Sequence, residues 1–600
     1  MKTDSILSPG LFKSGVKRFW PLWLVGIIGL VLLFDVPLYG VANMIVRNGE
    51  SLASQQSSMQ EAWNMMLLLG WAYALVGSIV VAMALNEHLF DTRAATFVGS
   101  LPTRRQGVYV TLALAGLLML LALPVVALVL LLPARLALGA VVTLRSAASW
   151  YGYVALSVLV LFAVAQLSCH LAGTRFVALV LYLVINFLAV LVETAVQLAV
   201  GALIYGMSTY GELHEWLSPA SWLFATALRR FELEEVASAQ GIACAVVAAL
   251  AALALAGWLF GRRDLEAAGS SVPFGPLRPV LRYLAGVSTA LLFGSVYRLA
   301  YVSDAFSGLP LLRGQALVMA LLMALGGALG VLIAEMVMRR STHVLSDCWR
   351  SGLIVAIASL AFVAVCAFDL TGAGRFVPKA EDVELVTLVS DHTDHFDLAS
   401  SEGVEAACDL QRDIISYGCE GEREGSIVTI DFVYKLSGGR VVKRSYPILA
   451  SFFEEEGASR GEGSQFLDRF VELADAPEGR ASRFANVLDG GAQGKTYQIE
   501  YWVGDGEAYS ASITVPASEV DGLAEALRGD LLEEEAGTLL AQHSWTEEGY
   551  DASLSVQREL ADGMGIDLLF NMQLDRTRCP HTVAWIEEHH PEIELQPANM

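Results

Sequence analysis

Charge is scarce over the first 371 residues of this chain, which carry only 22 Lys and Arg and 18 Asp and Glu. From Gly372 to the end the shortage is of positive charge, because 17 Lys and Arg face 44 Asp and Glu, a net charge of −27. Binding to nucleic-acid phosphates needs clustered basic residues, so this balance excludes a nucleic-acid partner. The chain therefore divides at Gly372 into an apolar region and an acidic, soluble region.

Motifs for nucleotide binding and catalysis are also lacking. The nearest match to a phosphate-binding loop runs from Asp489 to Thr496. There, Asp489 replaces the first glycine, and a strand-like run from Tyr497 replaces the helix that should follow. No Ser/His/Asp, Cys/His or paired-carboxylate pattern has a catalytic context. We therefore expect no catalytic residue, no cofactor and no enzymatic activity on this chain.

Cysteine is sparse, with seven residues in 600. Cys408 and Cys419 are separated by ten residues in the acidic region, where a disulfide between them and two free thiols are both compatible with the sequence. The segment from Asp391 to Asp397 concentrates Asp and His, but no second cluster shares its spacing. We expect a solvated loop there and no metal site.

Long apolar runs dominate the first region. A hydrocarbon core about 30 Å thick requires about 20 apolar residues in a helix, and nine runs meet that length. The sequence thus predicts a polytopic α-helical membrane protein with nine transmembrane helices, followed by a soluble α+β extracytoplasmic domain. The predicted helices cover residues 19–42, 62–86, 108–133, 150–171, 176–206, 240–261, 284–303, 314–337 and 352–371.

Basic residues indicate the orientation, because cytoplasmic loops are enriched in Lys and Arg. With the N-terminus inside, 15 of the 22 basic residues of this region lie on the cytoplasmic side. An odd number of helices then places the acidic domain outside the plasma membrane, whereas a flipped chain would place it in the cytoplasm. The alternative for the first run is a cleaved signal peptide, but its length and its missing cleavage site favour a retained helix.

The loop between the second and third predicted helices, residues 86–107, is short and amphipathic. Its apolar stripe at helical spacing consists of Leu89, Phe90, Phe97, Val98 and Leu101. Pro102 ends the predicted helix, since its ring removes an amide donor and clashes with the preceding turn. Such a helix can lie in the membrane interface or dock against a soluble partner, and the residues alone leave both interpretations open.

This loop resembles the one that follows the second helix in type-2 permeases of ATP-binding-cassette (ABC) exporters, where an early Glu precedes a Leu-Pro-small-Arg sequence. The matching residues here are Glu87 and Leu101-Pro102-Thr103-Arg104. The resemblance implies that the loop forms a coupling helix that contacts an ATPase subunit. The residues that it assigns to this coupling are Glu87, Phe90, Arg93, Leu101, Pro102, Arg104 and Arg105.

The same resemblance implies two protein partners. One is a separate ABC ATPase polypeptide, which binds the ATP and Mg, and the other is a second permease subunit in a homodimer or heterodimer. Two further segments are similar to this family, an amphipathic elbow from Leu11 to Trp20 and a stretch of short outer helices from Glu212 to Phe231. The expected function is that of the membrane-spanning subunit of an ATP-driven exporter.

Four regions follow from this assignment. Residues 1–18 form the cytoplasmic elbow, residues 19–264 the six-helix permease-like unit, residues 265–371 three additional helices, and residues 372–600 the acidic outer domain. The last region contains Val377-Pro378, a turn at Gly438-Gly439, Lys443-Arg444-Ser445-Tyr446 and Thr582-Val583-Ala584-Trp585-Ile586. On these segments it looks similar to an outer domain of unassigned function in some Gram-positive permeases. Its alternating pattern predicts one hairpin from Ile427 to Ile448 and a second from Tyr497 to Val515. Strands interleaved with helices indicate one domain or two related small ones.

Polar residues within the predicted helices are costly in hydrocarbon and should face other helices or water. They are Asp35, Gln166, His170, Asn186, Glu193 and Gln197. The candidates for a translocation route are Asn186, Glu193 and Gln197, and Glu193 lies nearest the middle of the fifth predicted helix. A hydrogen bond that holds helices together is the other interpretation of Glu193.

A second functional class also fits the sequence. The helices could serve mainly to anchor the acidic domain, which would act as an extracellular sensor or binding protein for a cationic ligand attracted by the charge of −27. The same acidity also serves solubility. The transported substrate cannot be read from these residues.

Overall fold

The computed structural model describes residues 8–47, 52–100, 104–131, 144–207, 214–231, 239–263, 277–301, 310–339, 341–390, 393–418, 427–450, 463–488, 495–503, 509–516, 518–532, 552–559, 566–574, 576, 579–591 and 593. These residues group into two compact units. The first takes the described residues within Met1–Val196, Glu212–Phe293 and Leu322–Ser359, and the second those within Gln197–Gly211, Gly294–Leu321 and Leu360–Met600.

Among the described residues, nine helices are long and apolar enough to cross a membrane. They lie where the sequence predicted nine apolar runs, so that prediction of nine apolar helices is confirmed. The first is built from α2 (Trp20–Leu30), a π-helical turn (Val31–Asp35) and α3 (Val36–Arg47). The other eight are α4 (Leu52–Leu85), α6 (Arg105–Leu130), α7 (Leu144–Leu171), α8 (Arg175–Leu203), α10 (Ala239–Arg262), α11 (Leu277–Tyr301), α12 (Arg313–Arg339) and α13 (Leu345–Ala367).

The described residues of the first unit also form three short α-helices. They are α1 (Pro9–Arg18), α5 (Thr92–Ser100) and α9 (Pro219–Phe231). The predicted elbow is thus a separate helix, because the chain leaves helical geometry at Phe19 before α2 begins. Several long helices extend past their apolar runs. For example, α13 begins at Leu345 instead of residue 352, since backbone hydrogen bonding continues through a first turn that contains polar residues.

The core of the first unit forms around α7, the most enclosed of the apolar helices. Trp150 on this helix stacks on Phe34 of the π-helical turn with ring centroids 4.1 Å apart, and Trp63 of α4 contacts both rings edge-on. A side chain at Gly70 would place its Cβ only 2.6 Å from Val154 Cγ2. Glycine at this position therefore lets α4 and α7 approach closely.

Helices α11, α12 and α13 pack through small residues within the first unit. A Cβ on Gly330 of α12 would lie 1.8 Å from Thr289 Oγ1 and 2.8 Å from the carbonyl oxygen of Ala285, both on α11. Gly286 of α11 in turn faces Val331 of α12 and Val355 of α13. Close approach over small residues is the usual way in which helices associate where hydrophobic burial between them gains little.

The second unit contains two four-stranded antiparallel sheets with the same strand order. The first has the order β2-β1-β3-β4 and the second β6-β5-β7-β8. The strands of the first sheet are β1 (Val383–Ser390), β2 (Thr393–Leu398), β3 (Ile427–Leu436) and β4 (Val441–Leu449). The second sheet consists of β5 (Lys495–Val503), β6 (Tyr509–Thr514), β7 (Ala552–Glu559) and β8 (Ile566–Gln573).

Helices follow the strands in the same way in both halves. After β2 comes α14 (Ser401–Tyr417), and after β4 come α15 (Ser464–Asp475) and α16 (Pro477–Leu488). After β6 comes α17 (Val520–Leu532), and after β8 comes α18 (Pro580–His589). Each half therefore follows a strand-strand-helix-strand-strand-helix order with its own buried core, and the first half has one further helix, α16, at its end. The strands of the two predicted hairpins, β3 with β4 and β5 with β6, are confirmed as antiparallel pairs.

The prediction of a solvated loop at residues 391–397 is wrong from Thr393 onward. Thr393–Leu398 is strand β2, which pairs with β1, and Phe396 within it is fully buried. Asp397 Oδ1 accepts a hydrogen bond from Thr387 Oγ1, and the Asp397 amide donates to Ser482 Oγ at 2.7 Å. Pairing with a neighbouring strand thus overrides the polar composition. Asp391 and His392 lie outside the described residues.

Candidate functional site

The loop after α4 begins at a buried amide pair. Asn86 follows the last residue of α4, and its Nδ2 donates to the carbonyl oxygen of Ala82 and to Gln166 Oε1 of α7, both at 2.9 Å. Both Asn86 and Gln166 are buried. A buried amide must find a partner, so this pair fixes the point at which the chain leaves α4 relative to α7.

Glu87 joins three separate segments by ion pairs. It is the first residue of a 3₁₀ turn, Glu87–Leu89. Its Oε2 accepts from Arg18 of α1 at 2.6 Å, and its Oε1 accepts from Arg175 at the start of α8 at 3.2 Å. The side chains of both arginines are more than half exposed. We refer to Arg18, Glu87 and Arg175 as the Glu87 cluster; it connects the elbow, the loop and α8 at a surface.

Helix α5 starts two residues after the turn. Asp91 Oδ1 accepts from the Arg93 amide at 2.9 Å and the Asp91 carbonyl accepts from the Ala95 amide at 2.9 Å, which satisfies free N–H groups of the first turn. One side of α5 faces the protein through Ala95 and Val98. The other side is exposed and carries Phe97, of which 65% is accessible. The loop therefore presents a short helix with an apolar group toward its surroundings.

Arg263 connects this loop to the end of α7. It follows α10 directly and is 5% exposed. Its Nη1 donates to the carbonyl oxygens of His170 at 3.0 Å and Ala172 at 2.7 Å, and its Nη2 donates to that of Leu89 at 2.8 Å. The last carbonyls of a helix have no partner within it, and a guanidinium at that end is favourable to the helix dipole. Arg263 thus ties the end of α7 to the 3₁₀ turn.

His88, the residue after Glu87, forms a buried aromatic contact. Its ring is edge-on to Phe260 at 5.6 Å, and His170 contacts the same phenyl ring at 5.6 Å. Burial, reinforced by the nearby positive charge of Arg263, lowers the pKa of His88 to about 4. Burial also lowers the pKa of Arg263, to about 10. At neutral pH the histidine is therefore uncharged and the guanidinium is charged.

The predicted coupling residues occupy different positions in this arrangement. Glu87 forms the ion pairs, Phe90 is half-buried and packs on the core, and Arg93 is exposed on α5. Arg104 immediately precedes α6, and Arg105 Nη1 donates to the carbonyl oxygen of Arg263 at 3.1 Å. Leu101 and Pro102 lie outside the described residues. The predicted apolar stripe is wrong in part, since Leu89 belongs to the 3₁₀ turn and Phe97 points away from the protein.

The three polar residues of α8 share one face of that helix, because their spacings of seven and four residues are close to whole turns. Asn186 is fully buried; its Nδ2 donates to the Tyr182 carbonyl at 2.9 Å, and its Oδ1 has no hydrogen-bond partner among the described residues. Glu193 accepts from the His214 amide at 2.9 Å, and its Oε1 lies 2.6 Å from His214 Nδ1. Gln197 lies on the same face, one turn beyond Glu193. None of the three belongs to the Glu87 cluster.

The sequence interpretation missed Arg263, His88 and the pair Asn86–Gln166. A signal was present in α7, where Gln166 and His170 are one turn apart in an otherwise apolar run. Two polar residues on one helical face indicate a buried polar partner. The identity of that partner depends on how α7 packs against α4 and α10, and no local sequence pattern encodes this packing.

The structure also shows where the metal, phosphate-loop and cysteine candidates from the sequence lie. Among the described residues, no group of three or more His, Cys, Asp or Glu is arranged to hold a metal ion. Lys495 and Thr496, from the imperfect phosphate loop, lie in strand β5, and residues 489–494 are outside the described part of the chain. Cys408 is a buried free thiol whose Sγ lies 3.7 Å from the carbonyl oxygen of Pro378, while Cys419 is not among the described residues.

Comparison with family models, with curated proteins and with solved structures finds no match for this chain.

Proposed function

We propose that this chain is the multi-pass membrane subunit of an ATP-driven exporter of the type-2 ABC class. In this proposal the nine apolar helices cross the plasma membrane, the N-terminus and the loop containing α5 face the cytoplasm, and the two sheets lie outside the cell. ATP and Mg are bound by a separate ATPase subunit, and a second permease subunit completes the transporter. The distribution of basic residues supports the orientation.

The observation that carries the proposal is the construction of the loop from Asn86 to Ser100. A helix that transmits force from a soluble subunit must be exposed on one side and rigidly attached on the other. Helix α5 has an exposed face with Phe97, and the turn before it is held by Asn86 and by Arg263 from α10. A loop that only lies in the membrane interface needs no such attachment to the rest of the protein.

The Glu87 cluster gives this loop a path to the elbow and to α8. Movement of the turn would displace Arg18 on α1 and Arg175 at the start of α8, because both form ion pairs with Glu87. Helix α8 also carries Asn186, Glu193 and Gln197, which we propose as the polar face of the translocation route. Because the arginines are exposed, these ion pairs are individually weak and can rearrange during a transport cycle.

A photo-crosslinking amino acid at Phe97 tests the docking surface. We expect irradiation of membranes from the source cells to give one protein adduct at this position, and we expect that adduct to be labelled by a photoreactive ATP analogue. The control is the same amino acid at Trp349 of α13, which is also an exposed aromatic residue and is placed on the cytoplasmic side by the proposed orientation.

Three results would argue against the assignment. Adducts with lipid alone at Phe97 would support the interfacial-loop interpretation. A protein adduct that binds no ATP would support another kind of partner. Equal yields of ATP-labelled adduct at Phe97 and Trp349 would show that α5 is not the specific contact.

A second function is favoured by one observation on the outer unit. The chain just after α8 pairs with the edge of β4, where the Ser445 amide donates to the Gly206 carbonyl at 3.2 Å and Tyr205 Oη donates to the Pro447 carbonyl at 3.0 Å. Gly206 has φ +83°, and a Cβ there would lie 2.2 Å from Tyr446 Cε1. The first sheet is therefore attached directly to the end of α8, as a ligand-sensing domain would require.

The sensor function predicts binding of a cationic peptide to the full-length protein. The domain's charge of −27 should make that binding weaken steeply as salt is raised. Titration with an oligolysine at low and high ionic strength measures this. Oligolysine binding at low salt that leaves ATPase activity unchanged would favour an anchored sensor over a transporter subunit. Absence of binding at low salt would remove the sensor function.

A further inference from the structure

An apolar groove of about 440 Å³ lies in the first unit between α2, α4 and α6. One end is formed by Leu22 and Trp23, and the other by Phe34 of the π-helical turn and Trp150 of α7. This volume falls within the range of about 300–1,000 Å³ that is usual for small-molecule sites. The groove is separate from the loop around Glu87, none of whose residues line it.

The walls of the groove offer only hydrocarbon to a ligand. Its three side chains with polar atoms are Trp23, Tyr73 and Trp150, and each already donates to a backbone carbonyl. The acceptors are Val16 at 2.9 Å, Leu120 at 2.7 Å and Met66 at 2.9 Å. With these groups satisfied, the groove favours a ligand segment that has no polar atoms.

The groove is accessible from the side and has the depth of one lipid leaflet. Val25, Leu33 and Val76 border it and are each at least 60% exposed. From Leu22 to Phe34 the helix advances about 18 Å at 1.5 Å per residue. Half of a hydrocarbon core is about 15 Å thick. The groove therefore runs alongside the acyl chains of a single leaflet, the cytoplasmic one in the proposed orientation.

The elbow helix α1 lies at the Leu22 end of the groove. Trp23, which lines the groove, donates to the Val16 carbonyl of α1. Gly15 is buried against Leu85 and Leu112, where its Cβ would be 3.5 and 3.8 Å from their side chains. These residues belong to α4 and α6, which form two of the groove's walls, so the elbow is fixed across this end.

Two lysines of the elbow remain available at this end. Lys13 and Lys17 are exposed, and within the described part of the chain neither has an acidic partner. Arg18, by contrast, is paired with Glu87. Two ammonium groups on the helix that contacts this end of the apolar groove match the two parts of an anionic phospholipid, since basic residues near a membrane surface attract acidic headgroups.

We propose that the groove holds an acyl chain of one anionic phospholipid, with its phosphate on Lys13 and Lys17. The elbow and the first three apolar helices then form a lipid site that positions α1 and, through Arg18, the Glu87 cluster. This proposal rests on the membrane placement proposed above and does not depend on the ATPase partner.

Filling the groove tests the acyl-chain site. Gly29 lines it, and a Cβ added at Gly29 would have no atom within 4 Å, so Gly29→Leu places a side chain in the groove without a clash at its Cβ. The matched control is Gly40→Leu, also in the first apolar helix and also in open space, but outside the groove. Full-length protein is reconstituted in equal parts of phosphatidylcholine and phosphatidylglycerol and then extracted in mild detergent. Phosphatidylglycerol retained per chain is measured by mass spectrometry.

We expect retained phosphatidylglycerol to fall at least fivefold for Gly29→Leu and to stay unchanged for Gly40→Leu. Equal retention in both variants would overturn the site, although the protein would still be membrane-embedded. Loss of a dimer by Gly29→Leu with no change in retained lipid would also overturn it, since the groove would then receive a second copy of the chain.

The headgroup contact has its own test. The double variant Lys13→Gln with Lys17→Gln should lower the preference for phosphatidylglycerol over phosphatidylcholine roughly 30-fold, since each basic residue contributes about 1 kcal/mol of attraction at a membrane surface. Arg350→Gln, another exposed basic residue on the proposed cytoplasmic side, should leave the preference unchanged. A preference that is the same in the double variant and in the wild type would contradict the headgroup assignment, and so would an equal loss in Arg350→Gln.

Discussion

Two glutamates of the first unit are each held by two arginines, yet their surroundings differ. Glu87 pairs with Arg18 and Arg175, and 26% of its side chain is exposed. Glu335 of α12 pairs with Arg282 of α11 at 2.8 Å and with Arg339 at 2.5 Å, and only 4% of its side chain is exposed. We refer to Arg282, Glu335 and Arg339 as the Glu335 cluster.

Burial decides what each cluster can do. Around Glu335 the ions are partly withdrawn from water, and Arg282 is further fixed by donating to Ser351 Oγ of α13 at 3.2 Å. Removing Glu335 would leave the largely buried guanidinium of Arg282 without this carboxylate, whereas the half-exposed Arg339 would keep its ion pair with Asp347. Around Glu87 water screens the ions, so making or breaking the pairs costs little. The Glu335 cluster thus holds α11, α12 and α13 together, whereas the exposed ion pairs of the Glu87 cluster can break and re-form when the loop moves.

The largest effect is expected at Glu335. Glu335→Gln should lower the free energy of unfolding by about 3 kcal/mol, because the largely buried guanidinium of Arg282 loses its carboxylate partner. The thermal midpoint in a fixed detergent measures this. Glu384→Gln, which removes an exposed pair with Lys435, is the control and should leave the midpoint unchanged. A similar midpoint for both variants would mean that the burial of Glu335 has no energetic consequence.

Arg263 should come next, because it is a buried cation whose hydrogen bonds go to backbone carbonyls. Arg263→Met is expected to cost about 2 kcal/mol, since charged hydrogen bonds to buried carbonyls are lost. Hydrogen exchange of residues 86–100 should rise at the same time, as Leu89 loses its tie to α7. Arg262→Met is the neighbouring control: Arg262 stacks on Trp258 at 4.2 Å and is exposed. Unchanged exchange in Arg263→Met would rule out the supporting role.

His88 gives the loop a pH dependence. Its pKa is about 4 in the folded chain and 6.5 in the unfolded one, so the unfolded chain binds the proton more strongly. Stability is fully present above about pH 6.5 and falls as the pH drops toward 4; between pH 7 and pH 5 the loss is about 2 kcal/mol.

His88→Asn should reduce this loss in unfolding experiments at the two pH values. The control is His343→Asn, at an exposed histidine, and it should retain the wild-type dependence. If both variants lose stability toward pH 5 as the wild type does, groups other than His88 cause the dependence.

The smallest effect on stability is expected at Glu87. Glu87→Gln should cost less than about 1 kcal/mol, and raising the salt concentration should remove most of that difference. Co-purification of the proposed ATPase should nevertheless fall, because the turn before α5 loses two of its connections. The comparison between the two clusters fails if Glu87→Gln destabilises the protein as much as Glu335→Gln, or if its effect is insensitive to salt.

The positions of the long helices and of several strands could be predicted from the sequence. Apolar runs of about 20 residues and period-two alternation are local signals, and they located the nine apolar helices and the hairpin from Ile427 to Leu449. Strand β2 was missed because Asp and His are unusual in strands. Its pairing with β1 and the burial of Phe396 outweigh that composition.

The candidate site was predictable only in outline. Glu87 and the amphipathic loop were visible, but the role of Arg263 was not, since 93 and 91 residues separate it from His170 and Ala172, whose carbonyls at the end of α7 it binds. For the acidic region the sequence left open one domain or two related small ones, and the matching strand order of the two sheets supports the second. Their residues differ, and only the pairing of β1 with β3 and of β5 with β7 reveals the repeat.

The sequence by itself determined the nine apolar helices, the acidic second region and the short amphipathic loop after α4, because hydrophobicity, charge and turn formation act over a few neighbouring residues. Only the tertiary structure decided which charges are paired and how strongly. Glu87 and Glu335 are the same residue type with the same kind of partner. The packing of α12 against its neighbours excludes water from Glu335, whereas Glu87 lies on a surface turn and stays in contact with water.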